Sequence, residues 1–399
     1  MSGQAFNNFE LTDNFKSQGV NHSFLVEHKE SNSDLVTQMY TNNAIKKANL
    51  GLNFYTGQQN RLNFWAGMQF NFFNKQNVDL LHFHLIENGW FHIPTAFKWM
   101  DKMPSVWTLH DLWPITGHCI QPLGCPKWES GCKKCPDLDR AFKVRIDRTS
   151  QQFNYKIKKL ENTNIKIHVT TQWSLRQIAK VSPTLAERTT VIPFGISIPK
   201  PMTAGDQIKD ELGISPLEKI ILIRGTPGNY KNMESLKIVL SDLKALTQKF
   251  TLIDIDSAGY FNDLGFKKYL QMSWIDRSRV IDLIRMSDAV IVPSSAETFG
   301  VLVVEAQLCG KPVLVQANTA CSEVAGGDET SFSFHGSNFQ SQVELFLNAI
   351  LVGEKEMTET ARRGQLRAEI EYNPNLYVER MFNLYKSTLN GSKFSDYVQ

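Results

Sequence analysis

Eight apolar, β-branched runs recur along this chain with amphipathic segments between them, and that alternation leaves few folds open. The runs are "HSFLVE" (22–27), "VDLLHFHL" (78–85), "SVWTLHD" (105–111), "IKIHVTT" (165–171), "EKIILIRG" (218–225), "FTLIDIDSA" (250–258), "DAVIVPS" (288–294) and "KPVLVQ" (311–316). Their apolar residues are mostly continuous rather than alternating, as in strands buried on both faces of a parallel sheet. Segments such as "NMESLKIVLSDLKAL" (232–246) and "RSRVIDLIRMSD" (277–288) carry helical spacing. Strand and helix in alternation define an α/β chain.

At 399 residues the chain exceeds one ordinary hydrophobic core, so two domains are expected. The stretch "VIPFGISIPKPMT" (191–203), with three prolines and a glycine, reads as the linker. The expected domains are 1–195, joined by a returning C-terminal helix within 373–399, and 204–372. The net charge of +3 argues against a dedicated nucleic-acid binder, although Lys133 to Glu161 alone carries nine basic and four acidic side chains. No apolar run approaches membrane-span length, no signal-peptide pattern opens the chain, and six cysteines do not make a secreted disulfide scaffold. The expected location is cytoplasmic.

Two stretches in the second half suggest an anionic ligand. In "SSAETFGVLVVEAQLCGKPV" (294–313), Glu297 and Glu305 stand eight residues apart across a Phe299–Gly300 corner. A helix opening there and closing at Gly310 would offer free N–H groups and a positive dipole end to a phosphate. On one helix that spacing would span roughly 12 Å, wider than the roughly 5–9.5 Å of paired glycosidase carboxylates. Two grips on one elongated ligand fit better. In "RGTPGNYKN" (224–232), Arg224 and Lys231 flank a Pro-Gly turn, a guanidinium fork and a compact ammonium for the same group. The plainer alternative for each stretch is a solvated loop.

These motifs resemble a known family. "PSSAETFGVLVVEAQLCGKPV" is similar to the E-x7-E signature of retaining GT-B glycosyltransferases of family four, and "LIRGTPGNYKN" to that family's diphosphate loop. "VIPFGIS" resembles its inter-domain "IPNGID", with Phe194 and Ser197 replacing Asn and Asp. "SVWTLHDLWPITGHC" with the following cysteines looks like the branch that builds colanic acid and other bacterial surface polysaccharides. The resemblance implies two Rossmann-like domains facing a cleft, the acceptor in the first and a nucleotide-diphosphate sugar in the second. It implies that Glu297 contacts the donor sugar and Glu305 the ribose. Arg224 and Lys231 would hold the diphosphate with backbone N–H groups at Phe299 and Gly300, and His110 would reach the sugar. The implied reaction is transfer with retention to a saccharide acceptor, lipid-linked in this setting, without a catalytic cofactor or metal. A sugar-nucleotide epimerase or phosphorylase of similar fold, or an inactive sugar-nucleotide-binding scaffold, are the alternatives.

Other features carry weaker expectations. "DID" (254–256) resembles a metal-binding carboxylate pair but is expected to be one inward and one outward strand residue. His82 and His84 share a strand face and read first as structural histidines, while His84 with Trp113 and His118 are also candidate acceptor contacts. Cys119, Cys125, Cys132 and Cys135 cluster with spacings x5, x6 and x2, only the last being usual for zinc. A structural zinc stands beside disulfides or buried free thiols. The segment 141–160 places Phe142, Ile146, Phe153, Ile157 and Leu160 near one helical face among Lys143, Arg145, Lys156, Lys158 and Lys159. It reads either as a core-packed helix with a basic outer face or as an attachment to an anionic membrane surface.

Members of the family open with a buried strand, a Gly-rich turn and a helix. Here Ser2-Gly3 stands for the turn, Phe6, Phe9 and Phe15 for the helix's apolar face, and Gly19 for its end. The first domain is therefore expected to lack its central first strand, through a start assigned too late or a truncated gene with a poorly stable product. The alternative is that another segment fills the slot.

Overall fold

The computed structural model describes residues 9–39, 43–73, 78–87, 89–200, 205–228 and 230–390. Ser2, Gly3 and Phe6 of the expected opening, residue 229 of the phosphate loop and the tail beyond residue 390 lie outside them. The chain forms two compact units: one runs to Phe194 and takes in the chain from Asn375, the other is Gly195–Pro374.

The second unit holds one six-stranded parallel sheet. Its strands are β7 (Lys219–Arg224), β8 (Phe250–Ile255), β9 (Lys268–Met272), β10 (Ala289–Val292), β11 (Val313–Gln316) and β12 (Phe332–Phe334). They lie in the order β12-β11-β10-β7-β8-β9, every pair parallel. The order reverses between β7 and β10, so the loops leaving those strands diverge to opposite sides and leave a crevice there. β8 and β10 are buried along their whole length, which explains why "FTLIDI" and "AVIV" are unbroken apolar runs. Ile221, Leu236, Phe250, Leu252, Phe334 and Leu347 lie in its core.

The first unit has two separate sheets. β1 (Phe24–Val26) pairs in parallel with β2 (Val36–Gln38). β3 (Leu81–Phe83), β4 (Ser105–Thr108), β5 (Lys166–Val169) and β6 (Thr189–Val191) form a second parallel sheet in chain order. Among the described residues no strand joins the two. Ahead of β1, helix Thr12–Ser17 ends as expected at Gly19, whose φ of 83° suits glycine. There the Gly19 N–H bonds the Lys16 carbonyl and the Val20 N–H the Phe15 carbonyl. Phe15 is fully buried against His22, Tyr377 and Tyr385, so the C-terminal helix Pro374–Asn390 contributes to this core.

The apolar face of the basic segment packs into the core. Its helix is Thr149–Asn162, beginning eight residues later than 141, and Phe153 and Leu160 are buried in the core. Lys156, expected on the basic face, is also buried. No described helix is long and apolar enough to cross a membrane.

Candidate active site

The crevice of the second unit brings the loops after β7 and β10 together. The Ser295 N–H donates to the Tyr230 carbonyl at 2.9 Å, tying one loop to the other. Beside that tie, Lys231 Nζ lies 2.7 Å from Glu297 Oε1. Burial pulls the Lys231 ammonium down, but the Glu297 carboxylate outweighs it and holds the group above its usual value. Arg224 Nε sits 3.0 Å from Asp256 Oδ2. Asp254 is fully buried, accepts hydrogen bonds from Ser257 and Tyr269, and burial raises its carboxyl. The two aspartates of "DID" thus serve separate partners.

Gly300 opens helix Val301–Leu308 at φ 97°, a left-handed conformation costly for any residue with a Cβ. A Cβ there would also stand 2.9 Å from Cys321 Sγ. The helix is shorter than expected, because Phe299 and Gly300 form its entry. It ends where expected: the Gly310 N–H bonds the Gln307 carbonyl and the Lys311 N–H the Ala306 carbonyl. Glu297 precedes the helix and Glu305 lies within it, so the two carboxylates do not share one helix. Glu305 is 3% exposed and accepts from Arg277 Nε at 2.8 Å. Arg277 also donates to the Ser197 carbonyl at 2.7 Å. Sequence reasoning missed Arg277, which opens a helix 28 residues upstream with no local cue to its partner.

In the first unit the end of β4 delivers His110 and Asp111. His84 Nδ1 and His110 Nε2 are 2.8 Å apart, and the His110 ring stacks on Phe194. Burial drives the His110 pKa down to about 3, with His168 adding to the shift. Beneath them runs a chain of hydrogen bonds whose proton order is fixed from one end. His168 Nε2 faces the Ile192 carbonyl at 2.8 Å and must carry the proton. Its Nδ1 therefore accepts from the Thr108 hydroxyl at 2.7 Å. Thr108 in turn accepts from His82 Nε2 at 2.7 Å, leaving His82 Nδ1 to accept from the Tyr385 hydroxyl at 2.8 Å. One proton per imidazole satisfies every link, in keeping with the lowering of both pKa values by burial.

Sequence reasoning also missed Glu87, which is buried beside the half-buried Asp111. Glu87 and Asp111 lie close enough for their carboxyls to influence each other, and Asp111 accepts the Trp113 N–H at 2.7 Å. Burial pushes the Asp111 carboxyl up to about 7 and raises Glu87 as well. Lys156 Nζ lies 3.6 Å from the centre of the Trp113 ring and 2.5 Å from the Trp113 carbonyl, and burial lowers it to about 7. Its place in the stripe Phe153–Lys156–Leu160 was the available signal. Trp113 itself is 1% exposed and donates to Gln59. His118 is buried, with Nε2 3.0 Å from the Asp137 carbonyl and 3.4 Å from Cys135 Sγ. Both belong to the packing of their loop, while His84 joins His110.

Cys119, Cys125, Cys132 and Cys135 are free thiols. Burial raises Cys119 to about 12, with Cys135, Cys132 and Cys125 close enough to add to the shift, and Cys132 to about 11. The Gly117 N–H donates to Cys132 Sγ at 3.1 Å. Among the described residues no three His, Cys, Asp or Glu side chains converge to hold a metal ion.

The fold is GT-B, two Rossmann-like α/β units, and solved structures share it. Sucrose-phosphate synthase from Thermosynechococcus elongatus superposes with TM-score 0.68 at 16% identity, over 96% of this chain and 92% of that one. HepE from Anabaena, solved with UDP-glucose, gives TM-score 0.59 at 16% identity over 77% and 79% of the two chains. Residues 206–365 match the family model described as glycosyl transferases group 1. The putative colanic acid biosynthesis glycosyl transferase WcaC of Escherichia coli (strain K12) is 38% identical over 79 residues, 18% of this chain and 20% of that protein. The matched segments span between 20% and 35% of the curated relatives' lengths.

Proposed function

We propose that this protein is a glycosyltransferase that moves a sugar, with retention, from a nucleotide-diphosphate sugar to a saccharide acceptor in bacterial surface-polysaccharide synthesis. The acceptor is lipid-linked in this reading, and the protein works peripherally on the cytoplasmic face of the membrane. The observation that carries the reading is the placement of Lys231, Glu297 and the Gly300 helix entry at the strand-order reversal of a Rossmann-like sheet. That is where such sheets bind nucleotides. The matches to glycosyl transferases group 1 and to WcaC support it, as does HepE, a similar fold holding UDP-glucose.

In the proposed mechanism Arg224, Lys231 and the N–H groups around Phe299 and Gly300 stabilise the negative charge that builds on the departing diphosphate. Glu305 holds the ribose. Glu297 and His110 contact the donor sugar as it becomes oxocarbenium-like. A leaving-phosphate oxygen takes the acceptor proton on the same face, so no side-chain nucleophile and no catalytic metal is invoked. A structural zinc at Cys119, Cys125, Cys132 and Cys135 is supported by their clustering in sequence.

A thermal-shift panel of sugar nucleotides followed by a transfer assay tests the reading. One nucleotide sugar should raise the melting temperature and be consumed with sugar appearing on acceptor. Binding without transfer or hydrolysis would favour an inactive binder, and a rearranged free sugar nucleotide an epimerase.

A further inference from the structure

We propose that Asp256 is a positioning residue of the donor site, whose carboxylate braces Arg224 for the diphosphate and locks the turn after β9 at Trp274. This role rests on the nucleotide-sugar reading of the site. β8 lies between β7 and β9 in the sheet, and Arg224, Ile255 and Met272 are cross-strand partners at the carboxyl ends of the three strands. Asp256 follows Ile255 and reaches one neighbour on each side. Its Oδ2 accepts from Arg224 Nε at 3.0 Å and its Oδ1 from the Trp274 N–H at 3.2 Å. The backbone is held as well. The Asp256 N–H donates to the Met272 carbonyl at 2.8 Å, and the Thr226 hydroxyl donates to the Asp256 carbonyl at 3.4 Å.

The residue type carries the argument. Asp256 has φ 69°, in the left-handed region that glycine and asparagine enter most readily. Glycine would offer no side-chain acceptor there. Asparagine would offer one oxygen and turn an NH2 group toward the second donor. A carboxylate accepts from Arg224 and Trp274 together. An arginine held by Nε keeps its two Nη groups for another partner, enough for a bidentate grip on phosphate. The Arg224 side chain is 40% exposed, so the pair adds little to folding. Trp274 is itself left-handed at φ 51° and 90% exposed, a conformation costly for so bulky a residue. The Asp256 carboxylate supplies a hydrogen bond that holds it. Three residues on, Arg277 holds Glu305, so Asp256 ties together the elements that carry the proposed diphosphate and ribose grips. Two donors and a fixed backbone keep Asp256 in place when a diphosphate reaches Arg224.

Calorimetry of the full chain with UDP, GDP, ADP, CDP and dTDP tests it. Asp256→Asn should bind the preferred diphosphate on the order of tenfold more weakly. Its one oxygen can keep the Trp274 bond, so that loss reports on Arg224. Asp256→Gly, with neither oxygen and a backbone suited to the turn, should bind at least as weakly. In an Arg224→Ala background Asp256→Asn should cost less than about twofold further, because it acts through the arginine. A merely structural role would leave the full loss in that background. The melting temperature of unliganded Asp256→Asn should fall by no more than about 2–4 °C. If the unaltered protein binds none of the diphosphates, the donor-site reading fails and this role with it. If it binds one and Asp256→Asn binds it equally, the reading stands and the role is overturned. Tighter binding by Asp256→Asn also overturns it, since Asp256 would then only stand in for the diphosphate on Arg224. So does an undiminished loss in the Arg224→Ala background, or a larger fall in melting temperature without loss of affinity.

Discussion

Lys231 and Glu297, 66 residues apart in sequence, meet at 2.7 Å across the point where the strand order of the second sheet reverses. A carboxylate held against the cation that would meet a diphosphate is well placed to be displaced toward the sugar when donor enters. Glu305, buried and held by Arg277, is placed to grip rather than to react. Glu305→Ala should therefore weaken nucleotide binding by roughly 10- to 100-fold, the worth of a charge-assisted hydrogen bond or two. Glu297→Ala should mainly lower kcat. Calorimetry with the nucleotide diphosphate beside steady-state kinetics checks the division, and equal loss of affinity in both variants would sink it.

Arg277→Ala should act on stability as well as on the site. It leaves Glu305 buried without its guanidinium partner, a situation that costs roughly 3–5 kcal/mol when both charges are buried. Arg277 retains 29% side-chain exposure, so the loss should fall at or below the low end of that range. Urea unfolding of the variant measures it, and Arg277→Lys should recover only part, lacking the fork that reaches Glu305 and the Ser197 carbonyl together.

Gly300→Ala tests the helix entry. The left-handed backbone costs on the order of 1–3 kcal/mol for a residue with a side chain, and the new methyl would crowd Cys321 Sγ. The expected outcome is a lower melting temperature together with weakened binding of the nucleotide diphosphate. A variant that binds it with unchanged affinity would remove this corner from the site.

His168 should stay neutral well into acid. Its pKa is about 4 in the folded chain, lowered by burial, against about 6.5 unfolded. Between those values the unfolded state binds the extra proton. The stability this site contributes is thus complete above about pH 6.5 and lost as pH falls toward about 4, on the order of 3 kcal/mol. Nitrogen-15 shifts should show Nε2 protonated and Nδ1 bare near neutrality. Urea unfolding from neutral to acid pH should show a shallower acid limb in His168→Gln.

Metal analysis of protein purified without chelator should find close to one zinc per chain. Binding should release protons, because thiols raised to about 11 and about 12 must ionise to ligate. Zinc well below one per chain, with all four thiols reactive in the folded protein, would end that reading.

What could be read from the sequence follows the burial of each element. The eight anticipated strands include every interior strand of both larger sheets, because a strand covered on both faces must be apolar throughout. The four unanticipated strands, β2, β6, β9 and β12, all lie at sheet edges. "VTQ", "TTV", "KYLQM" and "FSF" are short or mixed, since an edge strand is half exposed. The helix end at Gly310 and the glycine entry at Gly300 were local in origin and legible for that reason.

The sequence by itself determined the α/β alternation, the interior strands, the glycine-bounded helix and the types of residue gathered at the candidate site. Pairing was decided only by the tertiary structure, because partners distant along the chain leave no local trace. Glu305 with Arg277, Arg224 with Asp256 and Lys231 with Glu297 are cases of it. Packing also decided the fate of amphipathic surfaces: Lys156 went under Trp113 while Phe64, Trp65 and Met68 stayed in water. A helical stripe states that one face is apolar, and only the neighbours settle whether that face is covered.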